Sequence, residues 1–255
     1  MTAADAARAL LWLADAGADE LMLEAAQNRF DEGTPPPPAS EKVASVALPA
    51  AGTLAERAQA LAQACSSVAE LEQALRDFAE LGLSKSASNL CFCAGASGPA
   101  VLVVGAQPGR AEDMAGLPFA DKTAALLERM LAAIQLGPDR VLMANLIPFR
   151  PPGDRKASAI EVSLCLPFMR RLITLARPRF ILSLGALAAH HLAGGDEAVT
   201  RQRGKWLEFT PPGQAAIRVM TTFAPDYLLH QPQHKRLAWQ DLLMLREAMD
   251  ADQHA

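Results

Sequence analysis

Residues Ala100–Gly105 read AVLVVG, an unbroken apolar run rich in valine. A strand with one face in water alternates polar with apolar residues, so this run predicts a strand covered on both faces. The pattern then changes period. Lys122–Leu136 places Ala125, Leu126, Met130, Leu131 and Ile134 on one helical face. Arg140–Leu146 reads as a second strand, Ala159–Ala176 as a helix, Phe180–Leu184 as a third strand and Leu187–Leu192 as a short helix. Ile217–Thr222 is a fourth strand, and Pro232–Met249 closes the chain as a helix. Strands alternating with helices require right-handed crossovers. The expected architecture is therefore α/β: a three-layer α/β/α arrangement with a four-stranded parallel sheet, plus N-terminal helices. In such sheets, function gathers at the carboxyl ends of the strands.

The first 80 residues differ. Ala3–Phe30 carries Leu10, Leu13, Ala14, Leu21 and Ala25 at helical spacing, with Gly17 weakening the run enough that two shorter helices remain an alternative. Thr34–Ser40 (TPPPPAS) is a stiff extended linker. Helices are expected over Thr53–Cys65 and Ser67–Leu81, the second opened by Ser67 as N-cap with Glu70 three residues on. This division gives an acidic helical extension over 1–80, with the Pro-rich linker at 34–40, and one domain over 81–255.

Residues 1–80 hold 5 Lys/Arg against 13 Asp/Glu, whereas Arg140–Lys205 holds 11 basic residues against 4 acidic. A basic segment in an acidic chain is either an ordinary solvated surface or a phosphate-binding face. The acidic helices are a candidate surface for a protein partner. Apolar runs fall short of the roughly 18 residues of a membrane span, and the N-terminus lacks the pattern of a secretory signal. Four cysteines in 255 residues do not make a disulfide scaffold. A cytoplasmic protein without membrane contact is expected.

Three strand ends carry chemistry. The first leads into Gly105-Ala106-Gln107-Pro108-Gly109-Arg110-Ala111-Glu112-Asp113, a tight loop where backbone can approach a ligand, followed by Gly116-Leu117-Pro118-Phe119. It lacks the GK[ST] ending of a phosphate loop and the GxGxxG fingerprint. Phe119 is either core packing or a stacking platform for a flat ligand. The second strand ends near Asn145, whose side-chain amide both donates and accepts and so could read an imide edge. The fourth runs into Thr222-Phe223-Ala224-Pro225-Asp226-Tyr227-Leu228-Leu229, which holds the single tyrosine of the chain.

In this order, these segments resemble the uracil-DNA glycosylase superfamily, most closely its iron–sulfur bacterial branch, family 4. The family's GEAPGxxED and GxPF stand here as GAQPGRAED and GLPF, and its TN and RPPGNR as Ala144-Asn145 and RPPGDR. Its LG strand end matches Leu184-Gly185, and its LRG loop matches Gln202-Arg203-Gly204 loosely. Its HPAYLL, P-x-x-K and W-x-D-L stand as APDYLL, Pro232–Lys235 and Trp239–Leu242. The resemblance spans about Leu81–Met249 and implies a four-stranded parallel sheet. It also implies an activity that everts uracil from DNA and hydrolyses its N-glycosidic bond in base-excision repair. It implies that Gly105, Pro108, Gly109, Phe119 and Asn145 bind uracil, with Phe119 stacking and Asn145 reading the polar edge. It implies that Pro225 and Tyr227 press on DNA while Arg150, Arg155, Arg203 and Lys235 meet phosphates.

The departures fall on the chemistry. The family's glutamate is Ala106 here and its histidine is Ala224. Losing one preorganised oxyanion donor costs about 3 kcal/mol, so hydrolysis should be weak, altered or silent. Gln107 stands where other branches place a water-positioning residue, and it is the candidate catalytic group. Of the family's cluster cysteines only Cys165 matches; Phe149 stands close before RPP, and Cys91-Phe92-Cys93 has the wrong spacing. The residues thus predict no cofactor and no metal. His190, His191, His230 and His234 are expected at packing or surface positions, His230 and His234 near DNA, and Asp226 in solvent.

Overall fold

A computed structural model describes residues 51–194 and 197–253. The helix and linker expected over residues 3–40 lie outside the described residues.

Among these residues, six strands form one sheet in the order β1-β3-β2-β4-β6-β5. Four are the expected parallel set: β2 (Val101–Gly105), β3 (Val141–Asn145), β4 (Phe180–Leu184) and β6 (Ile217–Thr222). The expectation of a four-stranded parallel sheet is corrected by two short edges. Here β1 (Cys93–Gly95) pairs antiparallel with β3, and β5 (Trp206–Phe209) pairs antiparallel with β6. The sheet is mixed. Both edge strands are partly exposed and too short to announce a period, which hid them from the sequence.

The valine run behaves as its composition requires. Leu102 and Val104 face one apolar cluster, while Val101 and Val103 face another, and all four are fully buried. The first face is covered by α1 (Ala51–Ala64), α2 (Val68–Asp77) and α5 (Ala159–Ala176). The second is covered by α4 (Asp121–Ala133) and α9 (Lys235–Gln253). Each buried Leu, Val or Ile contributes about 1.5–3 kcal/mol relative to an exposed one.

Helix ends lock these layers together. Ser67 caps α2 by accepting from Glu70 N at 3.2 Å. Ser158 and Glu161 form the reciprocal capping box of α5, with Ser158 N donating to Glu161 at 2.7 Å. Arg171 of α5 donates through Nε to Cys65 O at 2.8 Å, placing a cation at the C-terminal end of α1. Arg246 of α9 likewise reaches Ile134 O beyond α4 at 3.1 Å. The expected Ser67–Leu81 helix stops at Asp77, and a 3-10 turn covers Ala79–Leu81. The closing helix starts at Lys235, after a 3-10 turn over Pro232–His234.

Candidate functional site

The carboxyl ends of β2, β3, β4 and β6 open on one cleft of about 840 Å³. At the end of β2, Gly105 lies in register with Asn145 of β3. The loop after it feeds α3 (Arg110–Ala115). Glu112 Oε2 accepts from Gly109 N at 3.0 Å, which pins the start of this helix. The next carboxylate, Asp113, is buried and accepts from Ser88 N at 2.8 Å and Asn89 N at 3.0 Å. The Glu-Asp pair is therefore a lacing device for the loop, a role the sequence did not reveal.

Three residues meet at one point. A methyl group placed on Gly105 would stand 2.8 Å from Asn145 Oδ1 and 2.8 Å from Phe119 Cζ. The aromatic plate and the amide thus converge, and glycine is required at β2's end because a side chain there would drive them apart. Asn145 is buried, and its Nδ2 donates to Cys91 O at 3.3 Å, which fixes the amide plane. Phe119 holds a left-handed backbone at φ 59°, a conformation costly for a bulky residue. That backbone turns its ring toward Gly105 instead of along the chain.

The facing wall comes from β4 and β6. Gly185 and Ala224 sit side by side, since a methyl on Gly185 would lie 3.5 Å from Ala224 Cβ. Ala106, Pro225 and Tyr227 line the same cleft. Ala106 and Ala224, the two positions at which the resemblance leads one to expect a glutamate and a histidine, therefore both border it.

The profile of the Uracil DNA glycosylase superfamily matches residues 92–243. The chain belongs to that superfamily. The type-4 uracil-DNA glycosylase of Archaeoglobus fulgidus is 31% identical over 155 residues, covering 59% of this chain and 77% of the relative. Those of Saccharolobus solfataricus and Thermotoga maritima are 29% and 28% identical, covering 72% and 73% of the relatives and 59% and 56% of this chain.

These relatives correct one expectation. Reading this superfamily member as free of any cofactor does not stand, because the proteins it matches are type-4 enzymes, the branch to which the resemblance attaches an iron–sulfur cluster. The donor set of the described residues does not fit such a group: no three His, Cys, Asp or Glu side chains among them converge on a metal position. Cys65 donates to Leu61 O at 3.3 Å, Cys91 to Glu112 O at 3.1 Å and Cys93 to Glu72 Oε1 at 3.4 Å. Burial pushes the Cys91 and Cys93 thiols up to about 12, which keeps them protonated. Phe149 and Cys165 are buried in one apolar cluster.

The polar candidates divide sharply. Gln107 lines the cleft, yet its amide is spent on the neighbouring loop: Nε2 donates to Arg155 O at 2.8 Å and Oε1 accepts from Ala157 N at 3.0 Å. Arg150 pairs with Asp154 at 2.6 Å. Arg155 grips Glu161 through both terminal nitrogens, at 2.8 and 2.6 Å. Arg203 points inward. Its Nε and Nη2 bind Asp241 at 3.0 and 2.6 Å, and Thr222 Oγ1 donates to the same carboxylate at 2.6 Å. With Asp241 wholly buried, this guanidinium is not offered to a phosphate. Burial pushes the Asp241 carboxyl up, against the pull of Thr222 and Arg203.

Lys235 is exposed beside the cleft-bordering loop, and His230 Nδ1 bonds Asp226 O at 2.8 Å. Two cations bordering the cleft, Arg110 and Lys156, escaped the sequence reading. Lys156 lies within the basic segment, the one signal that pointed to it. No helix among the described residues is long and apolar enough to cross a membrane.

Proposed function

We propose that this protein recognises uracil everted from DNA, in cytoplasmic base-excision repair, with weakened N-glycosidic hydrolysis. One observation carries the reading: Gly105, Phe119 and Asn145 meet within 2.8 Å of a single point, so a flat ring on Phe119 lies beside an amide that can read its edge. The backbone at Gly105, Pro108 and Gly109 admits the ring closely. Arg110, Lys156 and Lys235 are the cations placed to meet phosphates, with Pro225 and Tyr227 facing the duplex.

Hydrolysis breaks C1′–N1 and adds water to the sugar, so positive charge grows on the sugar and negative charge on the departing base. Ala106 and Ala224 supply neither a carboxylate for the cation nor a donor for the base oxygen. The missing donor alone costs about 3 kcal/mol, roughly a hundredfold in rate. A second reading, a silent uracil-binding module, is favoured by the Gln107 amide, whose two ends are already bonded to the Arg155–Ala157 backbone.

Gel-shift and base-release measurements on one uracil oligonucleotide, with a thymine control, test both. Uracil-selective binding with slow release supports weakened hydrolysis. Binding without any release supports the silent module. Equal affinity for uracil and thymine overturns the recognition reading itself.

A further inference from the structure

Lys156 stands between two bonds of a single side chain. Gln107 Nε2 donates to Arg155 O at 2.8 Å, and Gln107 Oε1 accepts from Ala157 N at 3.0 Å. These are the backbone groups just before and just after Lys156. A residue of a parallel strand bonds its partner strand in the same pattern, so the glutamine amide acts as a one-residue strand. The two peptide planes that meet at the Lys156 Cα are thus both held by one planar amide. Only φ and ψ of Lys156 lie between those planes, so the two bonds restrain both and set the direction of its Cα–Cβ bond.

Both sides of this clamp are anchored. Ala106 O accepts from Ile147 N at 2.9 Å, tying the backbone beside Gln107 to the segment after β3, and Pro108 disfavours a helical backbone at Gln107. On the other side Arg155 forks onto Glu161, and Glu161 accepts from Ser158 N at 2.7 Å. Lys156 O accepts from Arg155 Nη1 at 3.0 Å. The neighbouring cations are consumed, Arg150 by Asp154 and Arg155 by Glu161. Lys156 is exposed, lines the cleft and, among the described residues, pairs with no carboxylate.

We propose that Gln107 is a positioning residue: its amide aims the Lys156 ammonium into the cleft, where it meets a phosphate of the bound DNA strand. The inference rests on the reading of the cleft as a DNA site, and it gives Gln107 a role other than orienting water. A lysine on a free loop loses backbone and side-chain freedom when it meets a phosphate. Here the backbone share of that cost is met in the unbound protein.

The experiment measures binding of the full chain to a uracil duplex and to a thymine duplex, by fluorescence anisotropy at several salt concentrations. Lys156→Ala should weaken affinity several-fold and shrink the slope of log K against log salt by about 0.9, one phosphate contact. Gln107→Ala should also weaken affinity several-fold, but by less than about twofold when Lys156→Ala is already present. Lys156→Arg, which keeps the charge on the clamped backbone, should hold the wild-type slope. Gln107→Met, which fills similar space with neither bond, decides the matter if Gln107→Ala does not fold. A glutamine that merely supports the loop would cost the same with or without Lys156. Equal costs in both backgrounds, or an unchanged slope in Lys156→Ala, therefore overturn the clamp; if wild type still prefers uracil, the recognition reading stands. If wild type binds both duplexes alike, the recognition reading falls, and the clamp is upheld only by coupling of the two residues on both duplexes.

Discussion

The two walls of the cleft are built to different tolerances. At the ends of β2 and β3, Gly105, Phe119 and Asn145 crowd a point with no room for one added methyl. At the ends of β4 and β6, Gly185 and Ala224 face each other with ordinary van der Waals spacing, and small side chains border open space. Behind the second wall, however, Arg203, Asp241 and Thr222 form a buried ionic anchor. The contrast teaches that the cleft keeps tight geometry where the proposed ring would sit. At the other wall only small side chains, Gly185 and Ala224, border the open space.

The largest effect expected is on the anchor. Asp241→Ala leaves Arg203 without its buried partner, so urea unfolding should show a loss of about 3–5 kcal/mol. A loss below about 1 kcal/mol would mean the second wall needs no such buttress. Next, Ala106→Glu at the end of β2 combined with Ala224→His at the end of β6 sets a carboxylate on one wall and an imidazole on the other. Base release from a uracil oligonucleotide should rise by about a hundredfold or more, worth about 3 kcal/mol. An unchanged rate would show that something else limits hydrolysis. On the tight wall, Gly105→Ala forces Phe119 or Asn145 aside, at about 1–3 kcal/mol of overpacking. Affinity for uracil oligonucleotide should fall by a comparable factor, read by gel shift; unaltered affinity would erase the difference between the walls.

The smallest effect concerns the loop bonded to Gln107. Arg155 foremost, then Ser158, holds the Glu161 carboxyl down to about 2. A carboxylate with a depressed folded pKa adds stability above its unfolded pKa, about 4.3, and loses it as pH falls through about 2. Because the Arg155 side chain is 45% exposed, solvent screens the pair, leaving about 0.5–1 kcal/mol. Wild type and Glu161→Gln should therefore differ by that amount near neutrality and converge toward pH 2, which chemical denaturation at several pH values would read. A constant gap would assign the difference to packing.

The sequence by itself determined the central strands, the helices between them and the strand-end cleft. Val101–Gly105 and Ala159–Ala176 stand where their patterns put them, because burial on both faces leaves a continuous apolar signature and an amphipathic helix leaves a periodic one. Glycine, phenylalanine and asparagine at strand ends were likewise visible as a set. Tertiary structure alone decided the rest. The antiparallel edges are three and four residues long and leave no period to read. It also turned Arg203 inward toward Asp241, spent both ends of Gln107 on a loop far along the chain, and set the Tyr227 and His234 rings nearly parallel to Phe223 and to each other. Periodicity reports which face of an element is buried. It carries nothing about which distant polar group a long side chain will meet, and that choice is made only when the layers close.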